Sequence, residues 1–231
     1  MPTDLEAREP LPRLDNQAPE LFGQTPSQTV GPYFHYGLPW KGGADLIGNS
    51  DLGARADLFP EEHYLLGRSS VKATPKGEWI DLCGKVLDGN GCGVADAMIE
   101  IWQANAEGRY CSRVDVRALP TLDPAFIGFG RSATSPTGEF RFRTIRPGRV
   151  PGPGGGLQAP HIAMSVLGRG LLKRLVTRVY FAGEASNQSD PVLALVPNDR
   201  QSTLMARHVS EDVWRFDVVL QGAGETVFFK I

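Results

Sequence analysis

The chain has 231 residues, 41% of them hydrophobic and 22% charged, with a net charge of −2. This is the balance of a globular protein large enough to bury its own core, and it gives no electrostatic basis for binding nucleic acid or an anionic membrane. The three cysteines, Cys83, Cys92 and Cys111, are odd in number and lack C-x-x-C spacing, which argues against a disulfide framework or a zinc site and suits a reducing cytoplasm.

In chain order, residues 1–24 are rich in Pro, Asp and Glu without periodicity and are expected to form a mobile tail. They contain no apolar stretch of the kind a secretory signal needs, and no later run is long enough to span a bilayer. Residues 25–36 (TPSQTVGPYFHY) read as an extended arm: Pro26 and Pro32 favour open backbone, and Gly31 permits close approach of another chain or a ligand. The arm and the turn-rich residues that follow, 25–76 together, are expected to be irregular. From residue 77 onward the texture is that of one β domain. Period-two alternation predicts strands over 79–86, 98–104, 140–143, 162–167, 175–181, 214–220 and 226–229, with the turn Asp88-Gly89-Asn90-Gly91 after the first. One short helix is expected over 199–207, after Pro197-Asn198. The Pro/Gly-rich residues 147–156 read as a loop. Many short strands with few helical patterns predict an all-β, antiparallel sandwich.

No G-x-S-x-G, P-loop or dinucleotide fingerprint is present, and the glycines at 152–156 are not followed by Lys-Ser/Thr. Asp88, Asp96, Glu100 and Asp115 are scattered over turns and polar strand faces. The four histidines, His35, His63, His161 and His208, form no closely spaced pair. On a strand, positions 161 and 163 share a face, so two histidines there would converge on a metal. This chain has His161 and Ala163, half of such a site. A single strand histidine is more often a hydrogen-bonded core residue than a ligand.

An ordered set of short blocks runs from residue 25 to the C-terminus: TPSQTVGPY at 25–33, DGNG at 88–91, EIWQAN at 100–105, GRY at 108–110, FGR at 129–131, TIRPG at 144–148, APHI at 159–162, RFD at 215–217 and GETVFF at 224–229. On these blocks the chain resembles the intradiol ring-cleavage dioxygenases. The resemblance implies an Ig-like, transthyretin-like β-sandwich. It also implies a family site in which two tyrosines and two histidines hold Fe(III). One tyrosine precedes an L-D-P-x-F stretch, which here is residues 122–126, preceded by Arg117, Ala118, Leu119 and Pro120. The second falls on Val150, the histidines fall on His161 and Ala163, and an arginine that opens the histidine motif falls on Gln158. No tyrosine lies between Tyr110 and Tyr180, so no small shift of register restores either one. With three of four ligands absent, including both phenolates that a hard ferric ion favours, the chain is expected to hold no metal of its own.

Within the family, that pattern marks the alpha subunit of a heteromer whose beta subunit carries Fe(III) and which acts on protocatechuate and O2. The resemblance then gives this chain a substrate-facing role at the partner's site through Thr29, Gly31, Pro32 and Tyr33 of the arm and through Arg169. Trp102, within a family block, is expected to be core. Two alternatives stay open: a self-sufficient iron(III) intradiol dioxygenase acting on another catechol, and a transthyretin-like, non-enzymatic binding module.

Overall fold

The computed structural model describes residues 42–48, 50–54, 74–112, 114–118 and 120–230. The expected tail, His35, His63 and the arm residues Thr29, Gly31, Pro32 and Tyr33 lie outside them.

Eleven strands follow one another: β1 (Trp79–Leu87), β2 (Met98–Trp102), β3 (Phe129–Ala133), β4 (Glu139–Ile145), β5 (Val150–Pro151), β6 (Leu157–Gln158), β7 (His161–Leu167), β8 (Leu175–Phe181), β9 (Met205–Ser210), β10 (Val213–Arg215) and β11 (Val218–Val219). Nine of them form one sheet in the order β11-β1-β10-β9-β8-β7-β2-β3, with β4 also paired to β1, while β5 and β6 make a separate hairpin. The sheet curls around a main core. Ile80 and Leu82 of β1, Phe142 of β4, Met164 of β7 and Val179 of β8 belong to one buried cluster. The architecture is thus nearly all β and close to a closed barrel, as alternation in the sequence requires when one face of every strand must be covered.

The expected antiparallel sheet is corrected to a mixed one. β1 runs parallel to β10 and β11, and β8 runs parallel to β9. Alternation reports which face is buried and says nothing about the direction of the neighbour, so this feature was not available from the pattern. The expected helix over 199–207 is also corrected. A 3-10 turn spans Gln201–Leu204, and the chain then enters β9. Ala206 packs in the main core and Leu204 in a second cluster, and the extended path past Met205 lets β9 pair with both β8 and β10. The other helical pieces among the described residues are 3-10 turns as well.

Three further departures have local causes. The strand expected over 214–220 is interrupted at Phe216 and Asp217. Phe216 N donates to Cys83 O (2.8 Å), and its carbonyl lies where a Cβ at Gly84 would stand, 1.8 Å from it. Only glycine at 84 admits that approach. The strand expected over 226–229 is extended chain tied by isolated bonds, Thr226 N to Val219 O and Phe229 N to Val176 O. β3 was not expected because its inward positions are Gly130 and Ser132, small residues that give no apolar alternation.

The described part of the irregular segment packs on this sheet. Ala44 is in the main core, and Asp45 bridges to Arg143 of β4.

Candidate functional site

β7 and its neighbours place the half-site. Cross-strand partners share a face. The register pairs His161 with Tyr180, Ala163 with Arg178, and Trp102 with Ala163. His161, Ala163, Arg178, Tyr180 and Trp102 therefore stand on one face of the β2-β7-β8 ribbon. The β5-β6 hairpin closes beside it, with Val150 opposite Gln158. Its 3-10 turn at Pro153–Gly155 is allowed by Gly154 and Gly155, both at positive φ.

On this face His161 and Tyr180 are buried, while Ala163, Arg178 and Trp102 are partly exposed. His161 is 4% exposed, and its Nδ1 lies 2.8 Å from the Ala159 carbonyl. A carbonyl can only accept, so Nδ1 carries the proton and Nε2 is the bare nitrogen of the neutral ring. Burial, and then the nearby Arg178 guanidinium, push the imidazole down to about 4. Tyr180 is fully buried and donates from Oη to Asp190 Oδ1 (3.2 Å), and burial pushes its phenol up to about 12. The Asp190 carboxylate also accepts from the backbone N–H groups of Ala159, Val192 and Leu193. Arg178 donates from Nη1 to Gln158 Oε1 (2.5 Å) and lies 3.4 Å from Tyr180 Oη. Gln158 Nε2 in turn donates to Pro151 O (2.8 Å).

These residues do not fit a ferric ion. Where four donors would be needed, the face offers one imidazole, the Ala163 methyl, the buried isopropyl of Val150 and a guanidinium. The residues before 122–126 are spent on structure: Arg117 pairs with Asp115 (2.6 Å), and Pro120 O accepts from Arg109. Of the two tyrosines that bracket the gap, Tyr180 is held as a phenol, and burial raises the phenol of Tyr110 above its ordinary value. Neither provides the phenolate that Fe(III) favours. Among the described residues, no three or more of His, Cys, Asp and Glu are grouped so as to hold a metal.

Beside this face lies a cavity of about 450 Å³, lined by Trp102, Tyr110, Val150 and Pro151 and by part of the loop that carries Asp115 and Arg117. Trp102 and Tyr110 stack at 6.0 Å between centroids, 6° from parallel. Trp102 is half-buried at the cavity wall, so the expectation that it is core is only partly met.

Arg169 lies elsewhere. It occupies the β7-β8 turn, at the opposite end of β7 from His161, and Gly170 beside it has φ +85. At about 3.3 Å per residue the two ends are about 20 Å apart, so Arg169 does not converge with His161 and Ala163. Its side chain is 64% exposed, and Nε meets Asp96 Oδ2 at 2.7 Å. The other scattered carboxylates are structural: Glu100 pairs with Arg131, and Asp88 caps the turn at Asn90 and Cys92. His208 Nε2 donates to Glu211 O (3.1 Å) on an exposed edge.

Sequence reading missed Arg178, Tyr180 and Asp190. The signal for the first two was present: in residues 175–181 (LVTRVYF), Thr177, Val179 and Phe181 take the core face, leaving Arg178 and Tyr180 together on the other. Asp190 could not be found this way, because it reaches the face from a connection between 3-10 turns.

A family model described as Dioxygenase matches residues 60–222. The chain is 42% identical over 219 residues to the protocatechuate 3,4-dioxygenase alpha chain of Burkholderia cepacia, covering 90% of this chain and 98% of that one. It is 37% identical over 179 residues to the beta chain of the same organism's enzyme, covering 74% and 76%. Among solved structures, the dioxygenase domain of a carbohydrate-binding fusion from Streptomyces sp. SirexAA-E shares the fold with a TM-score of 0.52, at 24% identity, over 86% of this chain and 99% of that one. The chain belongs to the intradiol dioxygenase family, in the group that contains the protocatechuate 3,4-dioxygenase chains.

Proposed function

We propose that this chain is the non-iron alpha subunit of a heteromeric protocatechuate 3,4-dioxygenase, acting with a beta subunit that carries the Fe(III). The assembled enzyme joins protocatechuate and O2 to give 3-carboxy-cis,cis-muconate. The ring bond between the two hydroxyl-bearing carbons breaks and both oxygen atoms enter the product, a step of aromatic catabolism by the β-ketoadipate route. The observation that carries the reading is the end-to-end match to an alpha chain, 98% of its length. Placing the metal in the partner is supported by the donor chemistry around His161, where a methyl, an isopropyl and a guanidinium stand in place of ligands. The family reading also brings the transthyretin-like sandwich, which the main core shared by β1, β4, β7 and β8 supports. The free thiols of Cys83, Cys92 and Cys111 suit a cytoplasmic enzyme.

In this reading the chain's own work is binding and orientation. Protocatechuate carries a carboxylate at neutral pH, and an exposed guanidinium takes such a group through charge-assisted hydrogen bonds. Asp96 engages Arg169 through Nε, which leaves the Nη edge of the fork to face a carboxylate. Thr29, Gly31, Pro32 and Tyr33 would line the same mouth. In the assembled enzyme, Arg169→Ala is expected to lower kcat/KM for protocatechuate about 10- to 100-fold with iron content unchanged, the loss of one charged hydrogen bond. An unchanged kcat/KM would overturn the role of Arg169, and an iron-loaded chain purified free of any partner would overturn the division of labour.

A further inference from the structure

The half-site lacks donors, and a cation stands on the same face. Arg178 stands directly opposite Ala163, the position at which the second imidazole is missing, and on the same face as His161. Its guanidinium bonds Gln158 Oε1 at 2.5 Å and lies 3.4 Å from Tyr180 Oη. Gln158 faces Val150 across the β5-β6 hairpin, so the guanidinium is gripped from the side of one vacated ligand position and stands across from the other. We propose that the Arg178 guanidinium takes the place of the metal: it supplies the fixed positive charge around which this face is organised, and it bars a metal cation from His161. The inference rests on the family reading above, which identifies these positions with a ligand set.

Two physical arguments support the exchange. A cluster of acceptors and dipoles built around a cation is left unsatisfied if the cation is simply removed, and a guanidinium meets them through directed N–H groups without any phenolate. The charge that satisfies the acceptors also repels a second cation within a few ångströms in a poorly solvated face. The imidazole itself stays in the form a metal would use, with Nδ1–H on the Ala159 carbonyl and the lone pair on Nε2. Restoring donors alone is then insufficient, because the lock is electrostatic.

The test uses the full-length chain produced together with its partner, so that any iron in the partner is a constant background in every sample. Val150→Tyr with Ala163→His is compared in three forms: Arg178 retained, Arg178→Gln and Arg178→Lys. Iron per assembly is measured by elemental analysis, and a new phenolate-to-iron absorption is followed in the visible. The Arg178→Gln form is expected to gain iron over the background at least about tenfold more than the other two, because it alone lacks the local cation. Equal iron in all three, whether all filled or all empty, would overturn the proposal. So would uptake by the Lys form equal to that of the Gln form, because shape rather than charge would then be the barrier. If the donor pair prevents folding, the single Arg178→Gln chain is titrated with Co(II). A paramagnetic shift at His161 no larger than in the unaltered chain would equally overturn it. Absence of iron from the assembly of unaltered chains would overturn the metal-bearing partner, while the comparison of the three forms still decides the role of Arg178.

Discussion

The two ends of β7 make opposite uses of arginine. At the His161 end, Arg178 stands among buried groups and its bonds go to Gln158 and toward Tyr180. At the other end, Arg169 is 64% exposed in a glycine-flanked turn, with Asp96 its partner among the described residues. A guanidinium bonded to side chains inside the fold stabilises structure. One that is largely exposed can bind something else, at little cost to the fold. One end of the strand thus carries a buried histidine beside a partly buried guanidinium, and the turn after the other carries an exposed guanidinium, the one for which a recognition role is proposed above.

Several substitutions would break or sharpen that contrast. The largest effect is expected at Asp190, which is 1% exposed and gathers Tyr180 Oη and three backbone N–H groups. Asp190→Ala strands those donors and should destabilise the chain by about 3–5 kcal/mol, read as a lower denaturant midpoint. A loss below about 1 kcal/mol would show that Asp190 does not hold the buried groups at the His161 end together.

Next is the response to acid. His161 is held neutral down to about 4, below the ordinary 6.5 of an exposed imidazole. Between those values the unfolded chain binds the proton and the folded one does not. This contribution is therefore complete above pH 6.5 and is lost as pH falls toward 4, up to about 3 kcal/mol. The difference in stability between the chain and His161→Gln should fall across that window, and a flat difference would refute the burial argument. The smallest effect belongs to Arg169→Ala, whose exposed ion pair should change stability by less than about 0.5 kcal/mol. Set beside the expected fall in kcat/KM, that near-silence in an unfolding titration is what separates a recognition residue from a structural one.

The sequence by itself determined the β class, the approximate position of most long strands and the loss of the ligand set. Those depend on alternation and on which residue occupies a position: the side chains of Val150 and Ala163 carry no donor atom wherever the fold puts them. The tertiary structure alone decided which side chains gather around His161 and Ala163. Arg178 comes to Ala163 through the β7-β8 register, Gln158 through a separate hairpin, and Asp190 from a connection between turns. The parallel pairings of β1 and β8, and the strand at 205–210 whose first residues were expected to end a helix, were likewise settled by packing. The physical reason is common to all of these. Local sequence specifies which face of a strand must be buried, whereas the identity and direction of the neighbour that buries it depend on contacts between residues distant in the chain.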